Sequence, residues 1–404
     1  MDDRFKGVPL GCAPFVLRTI GARRWHAGGP ELPLPLLVAR KSAIEHNIAA
    51  MQRYCASRGA QLAPHGKTTM SPQIFERQLA AGAMAITVAT AQQLAVCLRY
   101  GVRSVLLANQ LVGTANLRYA VEELSRDQRL QLWTFVESVE SVRLIAQQAR
   151  ASALSRPFDV ILEAGYAGGR TGVRSRAEAR EVAAAIAATH GAVRLCGVGG
   201  FEGLLANDRA SFAAARSFVE EIAAVTDELL QMRALPQQFI VTAGGSSAFD
   251  LVLDVVAARW PGRASVVLRS GCYVTHDHGM YQRTAPAELD FRPALELWSS
   301  VQSRPEPSLA YLTFGRRDAG FDGGMPVPLY VVDAFGKKRA AGAWTIEGLN
   351  DQHARLRLPT GEHLEVGETV VCGISHPCTT LDKWRVVMLV DDDDVIVDGL
   401  LTFF

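Results

Sequence analysis

From about residue 36 onward, short apolar runs of strand length alternate with longer stretches whose apolar residues recur at helical spacing. Eight runs read as strands: AQLAPHG, MAITVAT, SVLLAN, LQLWTFV, FDVILEAG, VRLCGVGG, QFIVTAGG and ASVVLRSG. Between them, stretches such as SVESVRLIAQQARA and SRAEAREVAAAIAATHG carry the helical period, and several close on glycine or proline, as helix stops do. Strand then helix, repeated over roughly 240 residues, predicts an α/β fold of the (β/α)8 TIM-barrel type, with a doubly wound open sheet as the alternative.

After Tyr273 the pattern changes. PALELWSSVQSR, SLAYLTFG, PLYVVDAFG, HARLRLP, ETVVCGIS, WRVVMLVD and DVIVDGLLTFF are strand-length and separated by turn residues, which predicts a C-terminal antiparallel β domain. The expected organisation is an irregular, proline-rich segment 1–35 packing on the β domain, a barrel over 36–273 and the β domain over 274–404. VDDDDV reads as a solvated turn.

Composition narrows the class of partner. The 404 residues are 49% hydrophobic and 21% charged, enough for one large core and a smaller one. A formal charge of +1 gives no reason to expect nucleic acid or an anionic membrane, so a small molecule is the expected ligand. The N-terminus MDDRFKGVPLGCAPF has no apolar h-region, and no window approaches 18 uninterrupted apolar residues, which points to a cytoplasmic protein. The seven cysteines are scattered without a C-x-x-C pair, which argues against a disulfide framework or a closed structural zinc site.

In a (β/α)8 barrel, chemistry sits at the C-terminal ends of the strands. Lys67, in PHGKTT, follows the first strand, Asn109 ends the third, Glu137 follows the fourth, and Arg170 lies after the fifth. The last two strands end in TAGGSSAFD and RSGCYVTHDHGMY, on the turns that commonly bind phosphate in such barrels. Gly244 and Gly245 leave backbone N–H groups open to an anion, and Ser246 and Ser247 add side-chain donors at a helix N-terminus. A lysine facing a phosphate cradle meets the needs of pyridoxal 5'-phosphate: an amine for the Schiff base, an anchor for the phosphate and polar partners for the ring. Arg170 is a candidate for a ring position, or for a plain salt bridge at the rim.

GISHPCTTLDKW carries a second chemistry. If 374–379 is extended, His376 and Cys378 face the same side and can share one metal ion, zinc by ligand type, with positions left for water and substrate. HDH at 276–278 offers a rival pair, and His65 shows no ligand spacing.

Together, APHGKTTMSPQIFERQLAAGAMAITVAT, LLANQLVG, AGGRTGV, TAGGSSAFD, GCYVTHDHGMY and SHPCTTLDKW resemble the D-serine dehydratase and D-threonine aldolase family of alanine racemase-like pyridoxal phosphate enzymes. The likeness runs from about residue 35 to the C-terminus and is nearest to the bacterial amino acid deaminases, or D-serine deaminases. It implies a homodimer with active sites near the subunit interface, Lys67 as the Schiff-base lysine, and a phosphate held by Gly244, Gly245, Ser246, Gly271, Cys272 and Tyr273. It also places Arg170 beside the cofactor ring and makes His376 and Cys378 a pair binding zinc or another divalent cation.

The implied reaction turns a D-β-hydroxy amino acid such as D-serine into a 2-keto acid and ammonia. D-Threonine aldolases look similar here but carry aspartate where this chain has Cys378, and GRRDAGFDGG departs from their pattern, so dehydration is expected over retro-aldol cleavage. An aldolase, a racemase and a non-catalytic cofactor carrier are the alternatives, the β domain arguing against the last. A lysine that removes an α-proton needs a pKa lowered toward neutrality, so Lys67 is expected to be buried beside cationic or apolar neighbours.

Overall fold

The computed structural model describes residues 1–206, 212–333 and 335–404. All eight expected barrel strands are present: β2 (Gln61–Leu62), β3 (Ile86–Val88), β4 (Ser104–Gln110), β5 (Gln131–Val136), β6 (Phe158–Glu163), β7 (Val193–Gly199), β8 (Phe239–Ala243) and β9 (Ala264–Leu268). They form one parallel sheet in the order β2-β9-β8-β7-β6-β5-β4-β3. Its two ends meet through Met84 N–H to Leu62 O (2.8 Å), Thr87 N–H to Pro64 O (2.8 Å) and a His65–Thr87 bridge, so the sheet closes as a barrel.

Alternation along each strand divides the core. Ala63, Leu106, Phe135, Ile161, Ile240 and Val267 fill the barrel interior, while their strand neighbours Val105, Leu107, Val160 and Leu268 pack outward against the helices. At the mouth, helices start directly on polar caps. Thr90 accepts from Gln93 N, Ser175 accepts from Glu178 N, and Ser138 forms a capping box with Ser141. These caps hold the mouth turns short and fix the side chains they carry.

The second sheet has ten strands. β1 (Leu36–Arg40) belongs to it and not to the barrel, pairing antiparallel with β10 (Leu295–Glu306) and parallel with β17 (Val386–Val390). The remaining members are β11 (Leu309–Leu312), β12 (Val327–Val332), β13 (Lys338–Ala340), β14 (Thr345–Leu349), β15 (Ala354–Arg357), β16 (Thr369–Gly373) and β18 (Ile396–Leu401). The domain is therefore antiparallel except at β1–β17. Segment 1–35 lies over this sheet, with Val8, Ile20 and Leu32 packed on Trp298, Met388 and Ile396.

VDDDDV is a turn, but not a solvated one throughout. Asp394 is buried and bonds Arg40 Nη2 at 2.6 Å and Lys338 Nζ at 2.6 Å. No helix among the described residues is long and apolar enough to cross a membrane.

Candidate active site

The barrel mouth and the β domain enclose a cavity of about 620 Å³, lined by Lys67, Arg170, Gly245, Ser246, Gly271, Cys272, His376 and Cys378 together with His65, Thr68, Glu163 and Arg269. That volume suits a ligand of cofactor size. Most of the residues singled out in the sequence thus converge, although they come from four strand ends, those of β2, β6, β8 and β9, and a distant turn.

Lys67 sits in the 3-10 turn Gly66–Thr68 directly after β2 and is exposed to the cavity rather than buried. Beside it, Gly271 has no room for a side chain: a Cβ would lie 2.5 Å from Thr68 Oγ1 and 2.7 Å from His65 O. The close approach of these two turns puts the last barrel turn next to the lysine. Arg170 stacks its guanidinium 4.5 Å from the Phe201 ring centroid, with no carboxylate partner among the described residues, so it is not a rim salt bridge. Its loop is held by Glu137, whose carboxylate accepts from Gly172 N–H.

The phosphate cradle differs from the expected one. The buried Glu202 carboxylate already accepts from Gly244 N–H (3.2 Å) and Gly245 N–H (2.8 Å), so those two amides are taken by an anion of the chain itself. Gly244 is nonetheless required, with φ +83° and a would-be Cβ 2.6 Å from Leu268 Cδ2. Amides of Ser246, Ser247, Gly271 and Cys272 donate to no acceptor among the described residues and remain available to an anion. Tyr273 turns away: its hydroxyl lies in the core, accepting from Gln78 Nε2 at 2.9 Å.

Several polar groups lining the cavity are not among the residues the sequence singles out. Arg269, 2% exposed, donates to Thr242 Oγ1 (2.7 Å) and Gly200 O (2.6 Å), while its Nε has no partner. Burial pulls its pKa down to about 10, against the pull of Glu202 and Glu163. Glu163 accepts from Gln110 Nε2 and from Thr171 Oγ1 (3.0 Å), yet burial still raises its pKa. His65 is held well below its usual value by burial and by the cations Lys67, Arg269 and Arg170, so its imidazole is neutral, and its Nδ1 has no partner. An arginine and a glutamate closing otherwise apolar strands, VVLR and VILE, were the available signals for two of these.

The segment carrying His376 and Cys378 is not extended. Pro377 has helical dihedrals and Cys378–Leu381 forms one helical turn, because the proline occupies the N-terminal position its missing N–H allows. The convergence has another origin: Cys272 Sγ lies 3.7 Å from Cys378 Sγ, and ligand atoms of Cys272, His376 and Cys378 are all within 4.8 Å of one another. His376 Nδ1 is 2.8 Å from Asp322 Oδ2, and Thr379 Oγ1 donates to Asp322 Oδ1 at 2.6 Å. Asp322, in the GRRDAGFDGG stretch, therefore orients the imidazole. Within the thiol pair, Cys378 is the readier to ionise, through the hydrogen bond from Cys272 and the nearby Thr68 hydroxyl and Lys67. His276, Asp277 and His278 are part of no such cluster among the described residues; Asp277 Oδ1 instead accepts from Gly279 and Tyr281 N–H.

A parallel eight-stranded barrel, a lysine on its first turn and a β domain closing its mouth define the alanine racemase-like class of pyridoxal phosphate enzymes. The family model described as "Alanine racemase, N-terminal domain" matches residues 40–259, and that described as "Putative serine dehydratase domain" matches 294–390. A D-threonine aldolase from Arthrobacter sp is 25% identical over 81% of this chain and 80% of its own. A D-threo-3-hydroxyaspartate dehydratase from Delftia sp. (strain HT23) is 32% identical over 35% of this chain and 36% of its own. Among solved structures, a D-threonine aldolase from Filomicrobium marinum superposes with a TM-score of 0.78 at 23% identity, covering 92% of this chain and 95% of that one, a likeness of fold. The chain belongs to the D-serine dehydratase and D-threonine aldolase family of alanine racemase-like, fold type III pyridoxal phosphate enzymes.

Proposed function

We propose that the chain is a pyridoxal phosphate- and metal-dependent D-amino acid dehydratase, a lyase that converts a D-β-hydroxy amino acid such as D-serine to a 2-keto acid and ammonia. The observation that carries this reading is the meeting of Lys67 with a thiol–imidazole cluster in one cavity. The residues fit the cofactor: Lys67 is a reachable amine, the amides of Ser246, Ser247, Gly271 and Cys272 suit its phosphate, and Arg269 brings an unpaired buried donor for a ring acceptor. Arg170, over the Phe201 ring, borders the same space.

The cofactor supplies an electron sink that acidifies the α-carbon, and the metal a Lewis acid for a departing hydroxide. Lys67 Nζ accepts the α-proton. Neutral His65 adds no further positive charge beside it. Cys378 and His376 are the metal-holding side chains, and Asp322 fixes the ring that His376 presents. A homodimer and a small D-amino acid as the only partner class complete the reading.

A keto-acid assay on purified holoprotein with D-serine, D-threonine and both L-isomers tests it, with and without chelator and zinc add-back. Keto acid from the D-isomers alone, lost on chelation and restored by zinc, is expected. The extent of the aldolase match keeps one competitor, and glycine in place of 2-oxobutanoate from D-threonine would select it. Inversion at the α-carbon that survives chelation would point to a racemase.

A further inference from the structure

We infer that Cys272 is a third protein ligand, so that the metal sits in a Cys2His site tying the barrel to the β domain. This rests on the metal-dependent reading above and specifies its site. Cys272 opens the last barrel turn, whereas His376 and Cys378 lie in the β domain beyond β16. The two sulfurs are 3.7 Å apart. A tetrahedral ion with bonds of about 2.3 Å to each thiolate needs them about 3.8 Å apart, the edge of that tetrahedron. A disulfide would need about 2.0 Å.

Cys272 also differs from the ordinary buried cysteine of this chain. Cys55, Cys97 and Cys372 are fully enclosed among apolar side chains, as a small hydrophobe is. Cys272 lines the cavity, with Cys378 Sγ at 3.7 Å and Thr68 Oγ1 at 3.9 Å as its neighbours. His376 is set up as metal-binding histidines are, one ring nitrogen on the Asp322 carboxylate and the other with no hydrogen-bond partner among the described residues. Two thiolates and one imidazole make a catalytic type of site, with the fourth position open to water or a substrate hydroxyl.

Two consequences follow from the ligand set. Soft sulfur donors favour zinc-like ions over magnesium or manganese, more strongly than a lone His–Cys pair would. Because Cys272 also offers its amide to the anion cradle, loading of metal and loading of cofactor share one turn of chain.

Zinc X-ray absorption on the zinc-loaded, cofactor-loaded wild type should show two sulfur neighbours and one imidazole. Cys272→Ser should leave one sulfur, lower zinc affinity by more than the about 10–100-fold typical of outer-shell changes, and let excess magnesium displace zinc, with the Lys67-linked cofactor absorbance retained. One sulfur in the wild type, unchanged affinity in Cys272→Ser, or two thiols missing from a titration of the denatured protein would each overturn the third ligand. Bound metal with a single sulfur leaves the metal-dependent reading standing. Holoprotein that takes up no metal overturns both.

Discussion

Two arginines, Arg40 half-buried in the β domain and Arg269 buried in the barrel, hold their charge in opposite ways. Arg40 in the β domain bonds Glu296 through Nε and Nη2 at 2.8 Å each and Asp394 through Nη2 at 2.6 Å. Against the cost of burial, these carboxylates hold its guanidinium above its usual pKa. Arg269 in the barrel mouth has, among the described residues, only a hydroxyl and a carbonyl as hydrogen-bond acceptors, leaves its Nε without one, and is pulled down by burial to about 10. A buried charge that the chain satisfies completely is structural. One left a partner short, facing a cavity, is kept ready for a ligand.

The largest effect expected at the mouth is that of Lys67→Ala. Turnover should fall by about 10²–10⁴-fold or more, and the cofactor's protein-linked absorbance should disappear. Full activity with an unchanged spectrum would remove the mouth from the chemistry and leave the contrast between the arginines without a function. Next, the arginines themselves can be exchanged for methionine and compared by urea unfolding. Arg40→Met removes the cation shared by Glu296 and Asp394, leaving Asp394 with Lys338 and Glu296 with Tyr330 and Trp298, and should cost about 3 kcal/mol. Arg269→Met removes a poorly satisfied charge and should cost no more than about 2 kcal/mol while weakening cofactor binding. Equal stability losses would erase the distinction.

The same contrast explains what the sequence made legible. Barrel strands are short apolar runs set apart by helices, so their period is unmistakable, and all eight were found. β13 and β14 are absent from the strands the sequence predicts because KRA and TIEGL are brief and carry few apolar residues, and β1 falls inside the expected 36–273 barrel range because LLVAR reads alike in either sheet. At the site, Lys67 and Arg170 were visible from turn position. The Glu202 contacts with the two glycine amides span 42 and 43 positions, the Asp322–His376 bond 54 and the Cys272–Cys378 approach 106. Such pairings are set by closure of the fold, and no local spacing encodes them. His376 and Cys378 were paired on the premise of an extended strand, and Pro377 instead begins a helical turn.

A smaller effect tests how the β domain presents its histidine. Asp322 is held below the usual carboxylate range: partial burial opposes this, but the bonds from Thr379 and His376 prevail. Asp322→Asn should lower zinc affinity by about 10–100-fold in a chelator competition, with the fold intact. Unchanged affinity would mean that His376 needs no orientation, or holds no metal.

The smallest effect lies in the pH dependence of the structural network. Asp394 is depressed below the usual aspartate value; burial works against this, and Lys338 and Arg40 outweigh it, with His26 4.0 Å away. A carboxylate with a lowered folded pKa contributes stability that is complete above its unfolded value and is lost as pH falls through the folded one. Wild type should therefore lose more stability than Asp394→Asn on going from about pH 5 to about pH 3. Parallel losses, measured as urea midpoints across that window, would show that Asp394 is not what secures Arg40. The assignment of complete charge satisfaction to the β domain would then rest on Glu296 alone.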